Sequence, residues 1–103
     1  MTNLQNILKQ AQKIQSQVSK MQAELGERRV EASAGGGMVT AVVNGRQELI
    51  SLRIDPQVVD PSDVEMLEDL VVAAVSEALA RAREMANEEM KRLTGGMPLP
   101  GLM

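Results

Sequence analysis

The sequence contains no cysteine and no histidine. Disulfides, thiolate chemistry and the usual ligand sets for zinc, haem and iron–sulfur clusters are therefore excluded, so no redox or soft-metal site and no cofactor is expected. Phenylalanine, tyrosine and tryptophan are also absent, which removes the stacking platforms used by readers of single strands and RNA loops. Any contact with nucleic acid has to be made mainly with the backbone of a duplex. The N-terminal stretch MTNLQNILKQAQ is polar and has neither a signal-peptide core nor a membrane span. A cytoplasmic protein without membrane contact is the expectation.

What is present is organised around residues 61–94. Val64, Leu67, Leu70, Val71, Ala74, Val75, Ala78, Leu79, Ala82, Met85, Ala86 and Leu93 recur at helical spacing with no internal Pro or Gly, which predicts one long amphipathic helix. Asp60 is its expected N-cap and Pro61 its first helical residue, with Asp63, Glu65, Glu68 and Asp69 near the positive end of the dipole. Lys91 and Arg92 fall in the last turn, and Gly95, Gly96 and Pro98 stop the helix. At ~1.5 Å per residue it runs ~50 Å, against a radius of gyration near ~13 Å for a compact chain of this length. The helix thus predicts a partner, most simply a second copy. The expected contact is Leu67, Leu70, Val71, Ala74, Val75 and Ala78, whose alanines permit close approach.

Ahead of this helix, Thr2 and Gln5 match a capping box, and Leu4, Ile7, Ala11, Ile14, Val18, Met21 and Leu25 form a heptad seam that Gly26 ends. The seam suits a coiled-coil-like helix or an amphipathic helix lying on a sheet or on the long helix. From Arg28 onward the period is two. Val30, Ala32 and Ala34 mark a first strand, Met38 to Val43 a second that closes at the hairpin signal Asn44-Gly45, and Leu49 to Ile54 a third. Gly35 to Gly37 read as the turn between the first two strands rather than as a phosphate nest, because no GKS or GKT follows and no helix begins there. Val58 and Val59 are expected to tuck under the loop leading to Asp60. The predicted class is α+β, in the order α-β-β-β-α with a three-stranded antiparallel sheet. One domain covers residues 1–94, and residues 95–103 form a flexible Gly/Pro-rich tail to which Met97, Leu99, Leu102 and Met103 lend apolar character.

Charge is unevenly spread. Residues 1–54 hold seven basic and four acidic groups, a net +3, whereas residues 55–103 hold four basic and ten acidic groups, a net −6. Lys9, Lys13 and Lys20 fall within about 40° of one another around the first helix, opposite its seam. No acid precedes Glu24. The stripe is ~16 Å long, enough for two or three phosphates of one strand; it also fits an ordinary solvated lysine face. Arg81, Arg83, Lys91 and Arg92 scatter among acids and are secondary candidates. Pairs such as Glu65 with Asp69 and Glu84 with Glu88, four apart on one helix face, could in principle hold an acid/base site or a hard-metal site, but a solvated face is the expectation and no metal is expected. Glu77 with Arg81 and Glu88 with Arg92 instead have the spacing of surface helix pairs, and no enzyme is expected.

The string Leu8-Lys9-Gln10-Ala11-Gln12-Lys13-Ile14-Gln15, the AGGGMVTAVVNG of Ala34 to Gly45, the Ile54-Asp55-Pro56 step, the EMLEDLVVAAVSEA of Glu65 to Ala78 and the terminal GGMPLPG resemble the YbaB/EbfC family of bacterial nucleoid-associated proteins. The resemblance spans nearly the whole chain. It implies a homodimer of α-β-β-β-α subunits whose helices project like tweezer arms, binding duplex DNA in the nucleoid and influencing gene expression. It fixes no base-reading residue. The expected DNA contacts therefore follow the charge geometry: Lys9, Lys13 and Lys20, with Arg28 and Arg29 at the base of the same arm, and Lys91 and Arg92. The competing expectation is a scaffold dimer that engages a protein through its seam and tail, with weak or no DNA binding.

Overall fold

A computed structural model of the chain describes residues 2–93 and 95. Its elements are α1 (Thr2–Glu27), β1 (Arg29–Ala34), β2 (Val39–Asn44), β3 (Leu49–Ile54), a 3-10 turn (Pro56–Val58) and α2 (Val64–Leu93). The order α-β-β-β-α expected from the periodicities is the observed one. The side chain of Thr2, and with it the capping box, lies outside the described residues, as do Thr94 and the tail from Gly96 onward.

The long helix begins three residues later than its composition suggests. Asp60 does not cap it; its carboxylate accepts from the backbone N–H and the hydroxyl of Ser62, both through Oδ1, at 2.9 and 2.7 Å. Asp63 is the cap instead, its Oδ1 accepting from the N–H of Met66 at 3.2 Å. An Asx turn competes locally with helix initiation, which delays the helix. At the other end Gly95 adopts φ +66° and its N–H reaches the carbonyl of Arg92 at 3.4 Å, the left-handed stop expected of a C-terminal glycine.

The sheet runs β1-β2-β3, antiparallel throughout. Ala32 faces Ala41 and Ala34 faces Val39 across β1 and β2, and Leu52 faces Ala41 across β2 and β3. Between Val42 and Val43 the second ladder slips from Ser51 to Leu49, leaving Ile50 as the extra residue of a bulge. One sheet face carries Glu31, Ser33, Thr40, Ser51 and Arg53 and stays open to solvent, all five being exposed or half-exposed. The other lies under α2. Its core is Ala32, Val39, Ala41 and Val43 from the sheet against Ala74, Ala78 and Ala82 from the helix. Alanine at every fourth helical position brings the helix axis close to the strands, and among the described residues Val39 and Val43 are the largest fully buried side chains.

Ala74 and Ala78 are thus fully enclosed within one chain, and Leu67, Leu70, Val71 and Val75 pack half-buried around the same cluster. The face expected to meet a second subunit is largely occupied by the chain's own sheet. Periodicity marks a packing face without saying what packs on it. The layer is incomplete, however. The helix covers β1 and β2 and leaves β3 nearly bare, so Leu49, Ile50 and Leu52 remain 52, 46 and 38% exposed on an edge strand whose outer side meets no further strand among the described residues. Val58 packs against the core as expected, but Val59 is exposed.

The two hairpins solve different problems. Gly35, Gly36 and Gly37 have φ of +64°, +67° and +92°, three successive left-handed positions that L side chains rarely adopt. At the second, the Asn44-Gly45 signal forms no two-residue turn. The N–H of Gln47 donates to the carbonyl of Asn44 and the N–H of Asn44 to the carbonyl of Glu48, both at 3.0 Å, and Gln47 rather than Gly45 takes positive φ. This is a three-residue loop. Gly45 is required for space: a Cβ there would lie 2.7 Å from the carbonyl oxygen of Leu25 and 2.8 Å from the terminal methyl of Met85.

Candidate nucleic-acid interface

Helix α1 has only its last turns anchored. Met21 and Leu25 are buried, whereas every residue from Asn3 to Gln17 is exposed, including Leu4, Ile7, Leu8 and Ile14 of the apolar side. The heptad seam therefore lies on neither the sheet nor α2 over most of its length. The chain is accordingly elongated, 72 × 22 × 17 Å with a radius of gyration of 19.3 Å, well above the ~13 Å of a compact chain of this size.

The anchor is built from the second hairpin. The N–H of Gly45 donates to the carbonyl of Leu25 at 2.8 Å. Asn44, 4% exposed, accepts from the N–H groups of Arg46 and Glu48 through Oδ1 and donates through Nδ2 to the Glu48 carboxylate at 2.7 Å and the Gly26 carbonyl at 3.4 Å. The hairpin tip thus clamps the C-terminus of α1, where free helix carbonyls need donors. Arg29 supplies another, its guanidinium donating to the carbonyls of Gly26 and Arg28 at 3.0 and 3.3 Å.

The expected DNA-contact residues divide by place. Lys9, Lys13 and Lys20 lie exposed along the arm, and among the described residues no ion pair involves them. Arg28 and Arg92 converge on one carboxylate, that of Glu89, at 3.1 and 3.5 Å. Arg92 thus pairs three residues back rather than with Glu88, four back. Lys91 is exposed near the end of α2. Lys20, Glu24, Glu89 and Arg92 line a crevice of about 310 Å³ between the helices, and Arg28 lines an adjoining one of about 210 Å³. Of the secondary candidates, Arg81 is engaged, holding Glu77 at 3.1 Å and the carbonyl of Glu31 at 3.0 Å.

Arg46 is the residue that sequence reasoning missed. The hairpin lays its side-chain stem beside Gly26, where a Cβ would stand 3.3 Å from the Arg46 Cδ. An exposed cation from the β2–β3 loop thereby joins Arg28 and Arg29 at the root of the arm. No local signal announces this, because the placement depends on a contact between residues twenty positions apart.

Among the described residues no helix is long and apolar enough to cross a membrane, and no group of three or more acidic side chains converges as a metal site. A family model described as the YbaB/EbfC DNA-binding family matches residues 1–97. The chain belongs to that family. Among its relatives, a nucleoid-associated protein of Thermoanaerobacter pseudethanolicus is 58% identical over 100 residues, covering 97% of this chain and 90% of the relative. A nucleoid-associated protein of Moorella thermoacetica is 57% identical over 101 residues, covering 98% and 97%. The fold also matches the crystal structure of an uncharacterised Helicobacter pylori protein, with a TM-score of 0.63 at 23% identity, covering 85% of this chain and 98% of that one. At that identity the likeness concerns the fold.

Proposed function

We propose that the protein is a nucleoid-associated DNA-binding protein that works in the cytoplasm as a homodimer. Two cationic arms contact the backbone of duplex DNA, alter its conformation and so organise the nucleoid and influence gene expression. The observation that carries the reading is the exposed Lys9, Lys13, Lys20 stripe on a helix held only at its root. Membership in a DNA-binding family and the names of the relatives agree with it. Phosphate contacts position a protein on DNA without reading sequence, and they need none of the aromatic residues this chain lacks. No catalysis is involved.

Uncovered apolar surface supports the dimer. Leu49, Ile50 and Leu52 of β3 are exposed beside a helix whose Val71 and Val75 are only half-buried, and an apolar edge strand is a template for pairing with another chain. A second subunit seated there leaves both arms free. The N-terminal halves of the arms, with Leu4, Ile7 and Ile14 exposed, also suit a scaffold dimer that engages a protein partner.

Duplex titrations across salt separate the two. A dimer making six lysine–phosphate contacts gives a slope of log affinity against log salt near ~−5. Changing Lys9, Lys13 and Lys20 to Glu abolishes binding while the circular dichroism spectrum is retained. Unchanged affinity in that variant removes the stripe from the site, and no binding by the parent chain at low salt favours the scaffold.

A further inference from the structure

Glu89 differs from the acids around it. Its side chain is 21% exposed, whereas Glu84 and Glu88 on the same stretch of α2 are exposed residues. One of its oxygens, Oε1, receives both Arg28 from the start of the sheet and Arg92 from the end of α2. The two arginines come from segments more than sixty residues apart, and their side chains are 48 and 76% exposed. Each carries five N–H donors, so neither is saturated by a single carboxylate oxygen. Arginine forms charge-assisted hydrogen bonds to phosphate oxygens as it does to carboxylate oxygens, so the two ligands are chemically interchangeable between a pair of guanidinium groups.

We propose that Glu89 is a built-in phosphate surrogate at the root of the arm. It holds Arg28 and Arg92 converged when no DNA is present, and its fixed negative charge then limits how strongly the same pair holds a DNA phosphate. The inference deepens the DNA-binding reading and rests on it. It also accounts for a feature that reading leaves open: an acidic chain, net −3, keeps an inward-turned acid among its arm-root cations. The consequence is moderated affinity, with contact at the root conditional on a phosphate displacing or sharing the carboxylate's place.

The test compares fluorescence anisotropy titrations of a short duplex with the parent, Glu89→Gln and Glu88→Gln. The second variant makes the same formal charge change one residue away, at a position with no arginine partner. Removing a like charge about 6 Å from a phosphate, in each of two subunits, predicts that Glu89→Gln binds about three- to tenfold tighter. Glu88→Gln is expected to change affinity less than about twofold, the size of a screened charge farther from the phosphate. Arg28→Gln loses more affinity in the Glu89→Gln background than in the parent. Equal effects of the two glutamine variants, or weaker binding by a folded Glu89→Gln, overturn the proposal.

A measurement on the unmutated chain keeps the test independent of variant folding. The side-chain carboxyl carbon resonance of Glu89 shifts when duplex is added and that of Glu88 does not; an unmoved Glu89 resonance overturns the proposal. Failure of the parent to bind at low salt is a different result, one that removes the DNA-binding reading and this inference with it.

Discussion

The backbone N–H of Gly45, at the tip of the second hairpin, donates to the carbonyl of Leu25 in the last turns of α1 at 2.8 Å. That bond is one of the ties between the sheet and the root of an arm that is exposed from Asn3 to Gln17, and it is possible only because residue 45 has no side chain. A Gly45→Ala substitution places a methyl group within 3 Å of backbone and core atoms. It is expected to cost about 1–3 kcal/mol, the usual penalty of overpacking, read as a lower urea midpoint and faster amide exchange around Leu25.

Asn44 tests the same clamp from its polar side. Alanine at this buried position leaves the N–H groups of Arg46 and Glu48 without their side-chain acceptor and removes the donor to Gly26. A loss of about 1–3 kcal/mol in chemical denaturation is expected, whereas Gln57→Ala on the exposed turn changes stability by less than about 0.5 kcal/mol.

The proposed dimer makes a prediction at β3. Leu52→Arg places a charge on the apolar side of the edge strand, at a residue 38% exposed within one chain, so the subunit tolerates it and the interface does not. Sedimentation equilibrium is expected to report a single-chain mass for the variant and a two-chain mass for the parent.

Arg46 is the cation that the fold adds to the arm root. Arg46→Gln is expected to reduce the salt slope of duplex binding by about two for a dimer, one counterion per subunit, with unaltered thermal stability. An unchanged slope would remove Arg46 from the interface.

Asp60 titrates below the usual aspartate value of 3.8, first because the Ser62 hydroxyl donates to it and second because the Ser62 N–H does. A carboxyl whose pKa is depressed in the folded state stabilises fully above 3.8 and loses that contribution as pH falls through its lower folded value. Ser62→Ala is therefore expected to raise the Asp60 pKa towards 3.8 in an NMR titration. The group is fully exposed, so little change in global stability accompanies the shift.

The two helices and three strands are legible in the residues that form them, whereas the 3-10 turn at Pro56–Val58 is not. The alternation of Val30, Ala32 and Ala34, the three glycines at 35–37 and the helical recurrence that includes Ala74, Ala78 and Ala82 are local patterns, and each fixes a local conformation. The lysine stripe was legible for the same reason, since helical periodicity alone places Lys9, Lys13 and Lys20 on one side. Even the displaced start of α2 turns on a local contest, in which the Ser62 donors draw Asp60 into a turn.

What tertiary structure decided is who faces whom. The alanine face of α2 meets its own sheet, β3 is left uncovered, Glu89 gathers Arg28 and Arg92, and Arg46 arrives beside Gly26. Periodicity specifies that a surface is apolar or charged, but the partner for that surface comes from distant segments. Which pairing prevails depends on steric fit, such as the missing Cβ at Gly45, that exists only once the segments are brought together.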